Sequence, residues 1–478
     1  MLVFRGIIMQ FTELSFLFIF LPILIILYYL IKVSQRPVVL LVFSLVFYAC
    51  GSSAYLISLC MFVILDYGIV RLLEWLEIKK KNGIRKIIFV SSLILNLLPL
   101  LYYKYANFII KSSNALLGRK FETKDLLIPL GISFFTFKAI SFIADVYKKK
   151  ITKINFVDMA TYLTFFAHIQ SGPIERFYDF IEGGRAYSQE IFSRGCVRFM
   201  IGLGKKVVIA DVLSKITNEV FDSVTDWSTS IAWLGAICYS LQLYYDFSGY
   251  TDMAIGIGNM LGIECPENFE YPYISKSVTE FWRRWHISLG SWFRDYVYIP
   301  LGGSRVGKLR LSINLFVVWI LTGLWHGAGW QFIMWGLLYF AAIFIEKLLK
   351  IPDRFKSTSI KAVYRFLVLL FINFQWVLFR STSLKNGLRF IKRMIIIKND
   401  NISASRAIFL IKDYWLFVLM AMLFAVPIYP YMEKKFENNK YLKKTYGIIS
   451  GLVILGAFTL AISFIISGQN NPFLYGNF

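Results

Sequence analysis

Three histidines are the only side chains of this chain that titrate near neutral pH without perturbation. His326 stands in LTGLWHGAGWQFIMWG (321–336), and nothing else between Leu315 and Ile345 is ionisable near pH 7. Burial disfavours an imidazolium, so such a ring stays neutral. A neutral imidazole is able to take a proton from a hydroxyl, which is the task of a general base. The plainer reading is a ring hydrogen-bonded to a neighbouring helix. His286 lies in SVTEFWRRWHISLGSWFRDYVYIPLGGSR (277–305). Read as one helix from about 280 to 296, Trp282, Trp285, Leu289, Trp292 and Tyr296 share one face. Arg283, Arg284, Ser291, Arg294 and Asp295 share the other, with His286 on the border. That is an interfacial amphipathic helix, for which anchoring is the minimal role. His168, in FFAHIQSGPIER, precedes a Gly-Pro turn and reads as structural or pore-lining.

The elements that must position these rings are membrane helices. The chain has 478 residues, 57% of them hydrophobic, with mean hydropathy +0.59. A soluble domain has roughly 45–50% apolar residues. Several runs approach the ~20 apolar residues that cross a bilayer: 16–31, 87–103, 363–379 and 446–467, with 37–50 and 54–70 forming a helical pair joined by GSS. The expectation is an all-α polytopic membrane protein with about eleven to thirteen transmembrane helices. Residues 10–150 are ordinary spans. Residues 155–310 mix apolar segments with Gly, Pro, Asp and Arg, and residues 311–478 return to spans, with polar basic loops at 347–362 and 381–413. Ionisable groups at membrane depth are costly and usually functional. The core therefore runs from 155 to 340, with the helices of 341–478 after it, in a single membrane domain.

If the helix of His326 starts near Leu315, eleven residues carry the ring roughly 16 Å in, about half of a ~30 Å hydrocarbon layer. The run 315–345 is long for one span and short for two, so Gly327–Gly329 is where it should break. Irregular backbone at that depth must be buried in protein or line a cavity, which puts a cavity beside His326.

The formal net charge of +23 reads as topology rather than nucleic-acid binding, because basic loops favour the cytoplasmic side. Segments 32–36, 71–86 and 147–153 inside give an alternation with the N-terminus outside, although the basic 106–125 loop runs against it. Attraction to anionic lipid is a second use of the charge. The N-terminal apolar stretch has no small-residue cleavage site and reads as a span rather than a signal peptide, with Met9 as an alternative start. Cys50, Cys60, Cys196, Cys238 and Cys265 show no CxxC or metal spacing and read as small buried hydrophobes. No two histidines stand at ligand spacing, so no metal is expected. AIGIGNMLG (254–262) lacks the dinucleotide spacing, GKK (204–206) lacks the upstream glycine of a phosphate loop, and GxSxG is absent. Asp246 and Asp252, six apart in an apolar helix, do not share a face and read as packing partners for arginines.

Several motifs nevertheless match a known family. They are GISFFTFKAISFIADVYKKK (131–150), FFAHIQSGPIERF (165–177), the block from YSLQLYYDFSGY to YIPLGGSR (239–305) and LTGLWHGAGWQFIMWG (321–336). The N-terminal FTELSFLFIFLPILIILYY and FRSTSL (379–384) fit as well. Through them the chain resembles the membrane-bound O-acyltransferases, in the bacterial branch that contains the alginate O-acetyltransferase membrane subunit. The tail NPFLYGNF departs from the aromatic-rich FIYF type of ending common there.

The resemblance implies a ring of tilted helices around a central funnel, with His326 as catalytic base and His286 as the second key histidine. It implies no bound cofactor, and a thioester donor, acetyl-CoA or a carrier-bound acyl group, entering from the cytosol. Arg283, Arg284 and Arg294 are candidates to attract the donor's phosphates, or alternatively to anchor in lipid. His286 would position a reactant or stabilise developing charge. The acceptor would be an extracytoplasmic polysaccharide, reached through an SGNH or esterase-like acetyltransferase partner, with a glycan synthase complex as a further partner. The setting would be a bacterial plasma membrane, with lipid as surroundings and no nucleic acid. D-alanyl transfer to teichoic acid is the alternative within the class. A transporter would explain the same polar groups but usually carries internal repeats, which are absent here. A scaffold would tolerate loss of both histidines.

Overall fold

A computed structural model describes residues 9–182, 187–223, 228–397 and 401–474. The described residues are almost wholly helical. In chain order the α-helices are α1 (Leu21–Leu30), α2 (Arg36–Ser52), α3 (Leu56–Ile78), α4 (Asn82–Leu117), α5 (Ile132–Tyr147), α6 (Phe156–Thr164), α7 (Phe166–Ile169), α8 (Phe177–Glu182), α9 (Gln189–Gly204), α10 (Asp211–Asp222), α11 (Thr229–Met260), α12 (Val278–Arg284), α13 (Ile287–Phe293), α14 (Lys308–His326), α15 (Trp330–Leu349), α16 (Thr358–Arg380), α17 (Leu384–Ile395), α18 (Asn401–Phe424), α19 (Ile428–Phe436) and α20 (Lys440–Ile466). Among the described residues the sole β pairing is a bridge between Phe269 and Trp285. Among the described residues, seven helical segments are long and apolar enough to cross a membrane: 33–78, 82–117, 308–326, 330–349, 358–380, 404–424 and 440–466. The first contains α2 and α3 joined by a short 3-10 turn at Ser53–Tyr55, the pair that GSS announces. The chain is an all-α, multi-pass membrane protein.

Two compact units divide the chain. Of the described residues, the first holds those within 9–199 and 254–266, and the second holds those within 200–253 and 267–474. In the first unit, the outer helices invert the rule for soluble proteins. Ile57, Met61 and Ile64 on α3, and Ile87 and Ile94 on α4, are exposed at helical spacing, an apolar stripe for lipid. Polar groups turn inward instead, and Asn96 on α4 donates to Asp66 on α3 at 2.9 Å, both buried. Such pairs hold helices together where apolar contacts gain nothing over lipid. Helix α5 is buried from Ile132 to Val146 on every face, its polar Ser133, Thr136, Lys138, Ser141 and Asp145 included. Its entry requires Gly131, whose φ is +69° and whose Cβ would lie 2.0 Å from the carbonyl oxygen of Ile169.

In the second unit, α14 and α15 form a hairpin. A Cβ on Gly323 would lie 2.5 Å from the carbonyl oxygen of Phe332, and one on Gly336 would lie 2.4 Å from that of Trp319. Glycine on both helices lets the backbones touch. Near α11, Lys206 is wholly buried between Asp211 and Asp246, 2.7 Å from each. Residues 471–474 close over that triad: Lys206 donates to the carbonyl of Pro472, the Asn471 amide donates to Asp211, and the Leu474 amide donates to Asp246. Next to it, Lys205 pairs with Asp252 at 2.6 Å. The lysines of GKK are thus partners of Asp246 and Asp252.

Three further expectations need correction. The segment 280–296 is not one helix, because α12 ends at Arg284 and α13 starts at Ile287. Trp285, assigned to a membrane-anchoring face, is completely buried in protein. The region 381–413 is not simply loop, since α17 occupies 384–395 with Gly387 and Met394 buried.

Candidate active site

The second unit contains both histidines of the expected site. His326 is the last residue of α14, and the chain then runs extended through Gly327 and Gly329 before α15 begins at Trp330. The break falls where the glycines predict it. However, α14 begins at Lys308, so His326 lies eighteen residues along, ~27 Å rather than 16 Å. Each of the two helices is long enough to cross by itself. The half-depth estimate, which rested on a start at Leu315, therefore does not stand. The ring is 1% exposed and is enclosed by aromatic rings, with centroids at 4.9 Å (Trp325), 5.0 Å (Trp335) and 5.1 Å (Phe379).

His286 is placed by a break in the backbone. It is the junction of α12 and α13, with φ +47° and ψ +53°, the left-handed region. An L-residue there costs roughly 1–2 kcal/mol, so the surroundings must hold it. They do so through Asn268. Phe269 bridges Trp285, the Glu270 amide donates to the carbonyl of Arg284 at 2.9 Å, and the Ile287 amide donates to that of Asn268 at 3.0 Å. The Asn268 side-chain oxygen accepts from the Ser288 amide at 3.0 Å and from the Ser288 hydroxyl at 2.9 Å. His286 Nδ1 lies 3.1 Å from the same oxygen. Because a backbone N–H only donates, that Asn268 atom is the acceptor. His286 therefore carries its proton on Nδ1, and its lone pair is on Nε2. Nε2 is buried and has no hydrogen-bond partner among the described residues. Burial also drives the imidazole pKa down from 6.5 to about 3. His286 is a neutral acceptor, so in this state it cannot donate to a developing oxyanion.

A cavity of about 360 Å³ reaches this ring, within the size range of small-molecule sites. Trp282, Leu289, Phe293, Trp319 and Thr322 are among its mostly apolar lining residues, and Arg283, Arg294 and Lys347 line it as well. His326 is not among the lining residues. Trp325 links the two histidines, with its ring 6.0 Å from His286 and 4.9 Å from His326. Of the three arginines expected to meet donor phosphates, Arg283 and Arg294 line the cavity. Arg284 does not, and is paired with Glu280 at 3.0 Å and Glu270 at 3.4 Å. Arg294 is exposed and shares its charge with Asp295 at 2.8 Å.

Sequence reasoning missed Asn268 and also Glu346. The Glu346 carboxylate, 3% exposed on α15, accepts from the amides of Val278 (2.6 Å) and Thr279 (2.8 Å), from the Thr279 hydroxyl (2.5 Å) and from Tyr364 (2.6 Å). It satisfies the start of α12, where orphan amides favour a negative charge. A lone carboxylate within an apolar helix was the signal. Trp282 then rests on Trp319, Trp335 and Tyr339 at 5.0–5.5 Å, which holds the arm carrying His286 against the α14–α15 hairpin.

Comparison with known proteins supplies the class of chemistry. The family model of the membrane-bound O-acyltransferases (MBOAT) matches residues 88–391, well over half of the chain. The chain belongs to the membrane-bound O-acyltransferase family. This MBOAT chain is 41% identical over 384 residues to the probable alginate O-acetylase AlgI of Azotobacter vinelandii, covering 79% of this chain and 76% of that one. It is 34% identical over 427 residues to the peptidoglycan O-acetyltransferase of Helicobacter pylori, covering 82% and 80%. The teichoic acid D-alanyltransferase of Bacillus subtilis is 29% identical over 296 residues, covering 59% and 73%. As an MBOAT member, the chain is a multi-pass acyltransferase of the cell membrane.

Proposed function

We propose that this MBOAT enzyme carries acetyl groups from a cytosolic thioester to a hydroxyl, for O-acetylation of an extracytoplasmic polysaccharide. The cavity at His286 carries the reading: it has apolar walls for an acyl-pantetheine arm, cations for its phosphates and the His286 imidazole among its lining residues. Arg283 and Arg294 attract the phosphates, joined by Lys347. His286 Nε2 accepts a hydrogen bond from an N–H or O–H of the bound reactants and so positions them. His326 takes the proton of the attacking hydroxyl. The donor is acetyl-CoA or a carrier-bound acetyl thioester, with no resident cofactor, and the acetyl group passes to an SGNH or esterase-like partner outside, beside a glycan synthase. Acetyl rather than D-alanyl transfer is favoured because similarity to the O-acetylases is higher and covers more of the chain.

The test is acetyl transfer by full-length protein in lipid nanodiscs, with its polysaccharide analysed in a deletion strain. His326→Ala is expected to lower transfer by ~10²–10⁴ while the protein still inserts. Unchanged acetylation by a well-inserted variant would refute the assignment.

A further inference from the structure

One group of reactive side chains in the first unit has no part in the site above. His168 on α7 and Glu175 just beyond it are each 1% exposed. His168 Nε2 lies 3.4 Å from Cys265 Sγ, while Nδ1, across the ring, lies 3.4 Å from a Glu175 carboxylate oxygen. The Nδ1 contact is close enough for electrostatic attraction but is not aligned as a hydrogen bond. Both Glu175 oxygens and His168 Nδ1 lack a hydrogen-bond partner among the described residues. A buried carboxylate in that state is costly, and here it faces the imidazole. Lys138, also buried, donates to the carbonyl of Tyr162 and is close enough to attract both Glu175 and Cys265. Cys265 itself is half-buried on the turn after α11, between exposed Glu264 and Pro266. Cys265 is the one partly exposed residue of the three, since His168 and Glu175 are buried.

The order carboxylate, imidazole, thiol is that of an activated nucleophile: a base beside the thiol and a third group orienting the base. The nearby ammonium favours thiolate over thiol. A single metal ion would be held by one ring nitrogen, whereas here each nitrogen faces its own partner.

We propose that Cys265 is a nucleophilic thiol that accepts an acyl group from a thioester, with His168 as its base and Glu175 orienting the imidazole. His168 Nε2 takes the thiol proton, and the sulfur attacks the acyl carbonyl carbon. The new carbon–sulfur bond forms as that of the donor breaks, and the departing thiolate takes the proton back from His168. The products are S-acyl Cys265 and the donor thiol, with no redox partner needed. The proposal rests on the functional reading only in taking a thioester as donor.

The test is mass spectrometry of peptides from full-length protein in nanodiscs after exposure to acetyl-CoA, in the natural sequence and in His326→Ala, where onward transfer is blocked. The expected result is acetyl on Cys265 that neutral hydroxylamine removes, absent in Cys265→Ser and lowered at least about tenfold in His168→Gln. In the natural sequence, iodoacetamide at pH 6 should alkylate Cys265 faster than Cys50 or Cys60. Absence of acetyl from Cys265 in both proteins overturns the proposal, as does stoichiometric zinc that shields the thiol until chelation. If polysaccharide acetylation persists with Cys265 unlabelled, this proposal falls and the functional reading stands. If Cys265 is labelled while His326→Ala acetylates normally, the functional reading falls instead.

Discussion

Asn268 sets which nitrogen of His286 is basic. Its side-chain oxygen is already committed as acceptor to the Ser288 amide, so the His286 Nδ1 facing it at 3.1 Å must carry the proton. Asn268→Ala should therefore lower acetyl transfer by ~10–100-fold, in the range of lost outer-sphere support at other histidine sites. Asn268→Asp should act differently. A carboxylate beside Nδ1 favours the imidazolium, so the acid limb of the pH–rate profile should move to higher pH. An unchanged profile in Asn268→Asp would sink the tautomer assignment.

His286 also links protonation to stability. Its pKa is depressed in the folded protein, to about 3 from 6.5, so the unfolded chain binds the proton more readily. The stability contributed by burying it neutral is complete above pH 6.5 and is lost as pH falls towards 3. Thermal unfolding midpoints in detergent should thus decline between pH 6.5 and 4. His286→Asn should flatten that slope.

Glu346 should prove structural rather than chemical. Glu346→Ala leaves the Val278 and Thr279 amides without an acceptor, at about 1–3 kcal/mol for each buried group. A lowered melting temperature with a near-normal Michaelis constant in the surviving protein is the expected pattern.

The α14–α15 contact is intolerant of a single methyl. Gly336→Ala puts a Cβ 2.4 Å from a backbone oxygen, and overpacking of this kind costs typically about 1–3 kcal/mol. Because His326 ends one of the two helices, transfer rate should fall with stability. Gly451→Ala on α20, with nothing within 4 Å, should leave both unchanged.

Much of this organisation was legible in the sequence, for physical reasons that also mark where reading fails. Apolar runs name the spans because lipid demands them, and GAG names the break after His326, where a Cβ on Gly327 would lie 2.1 Å from the Phe332 ring. The start of α14 was missed because Lys308, Arg310 and Asn314 make its first turns look like loop. The break at Trp285–His286 has no Gly or Pro to announce it. It is imposed by Asn268 and the bridge at Phe269, a tertiary influence that local pattern does not carry. The same is true of Glu346 with Val278, and of His168 with Cys265, which is 97 residues away in sequence.

The clamp of residues 471–474 on Lys206 sets a timetable for biogenesis. Lys206 leaves the ribosome 266 residues before Pro472, which at ~5–20 residues per second is a delay of roughly ten seconds to a minute. Throughout that interval an ammonium and two carboxylates wait without their closing strap. A nascent chain halted before this point should be a distinct, protease-sensitive species.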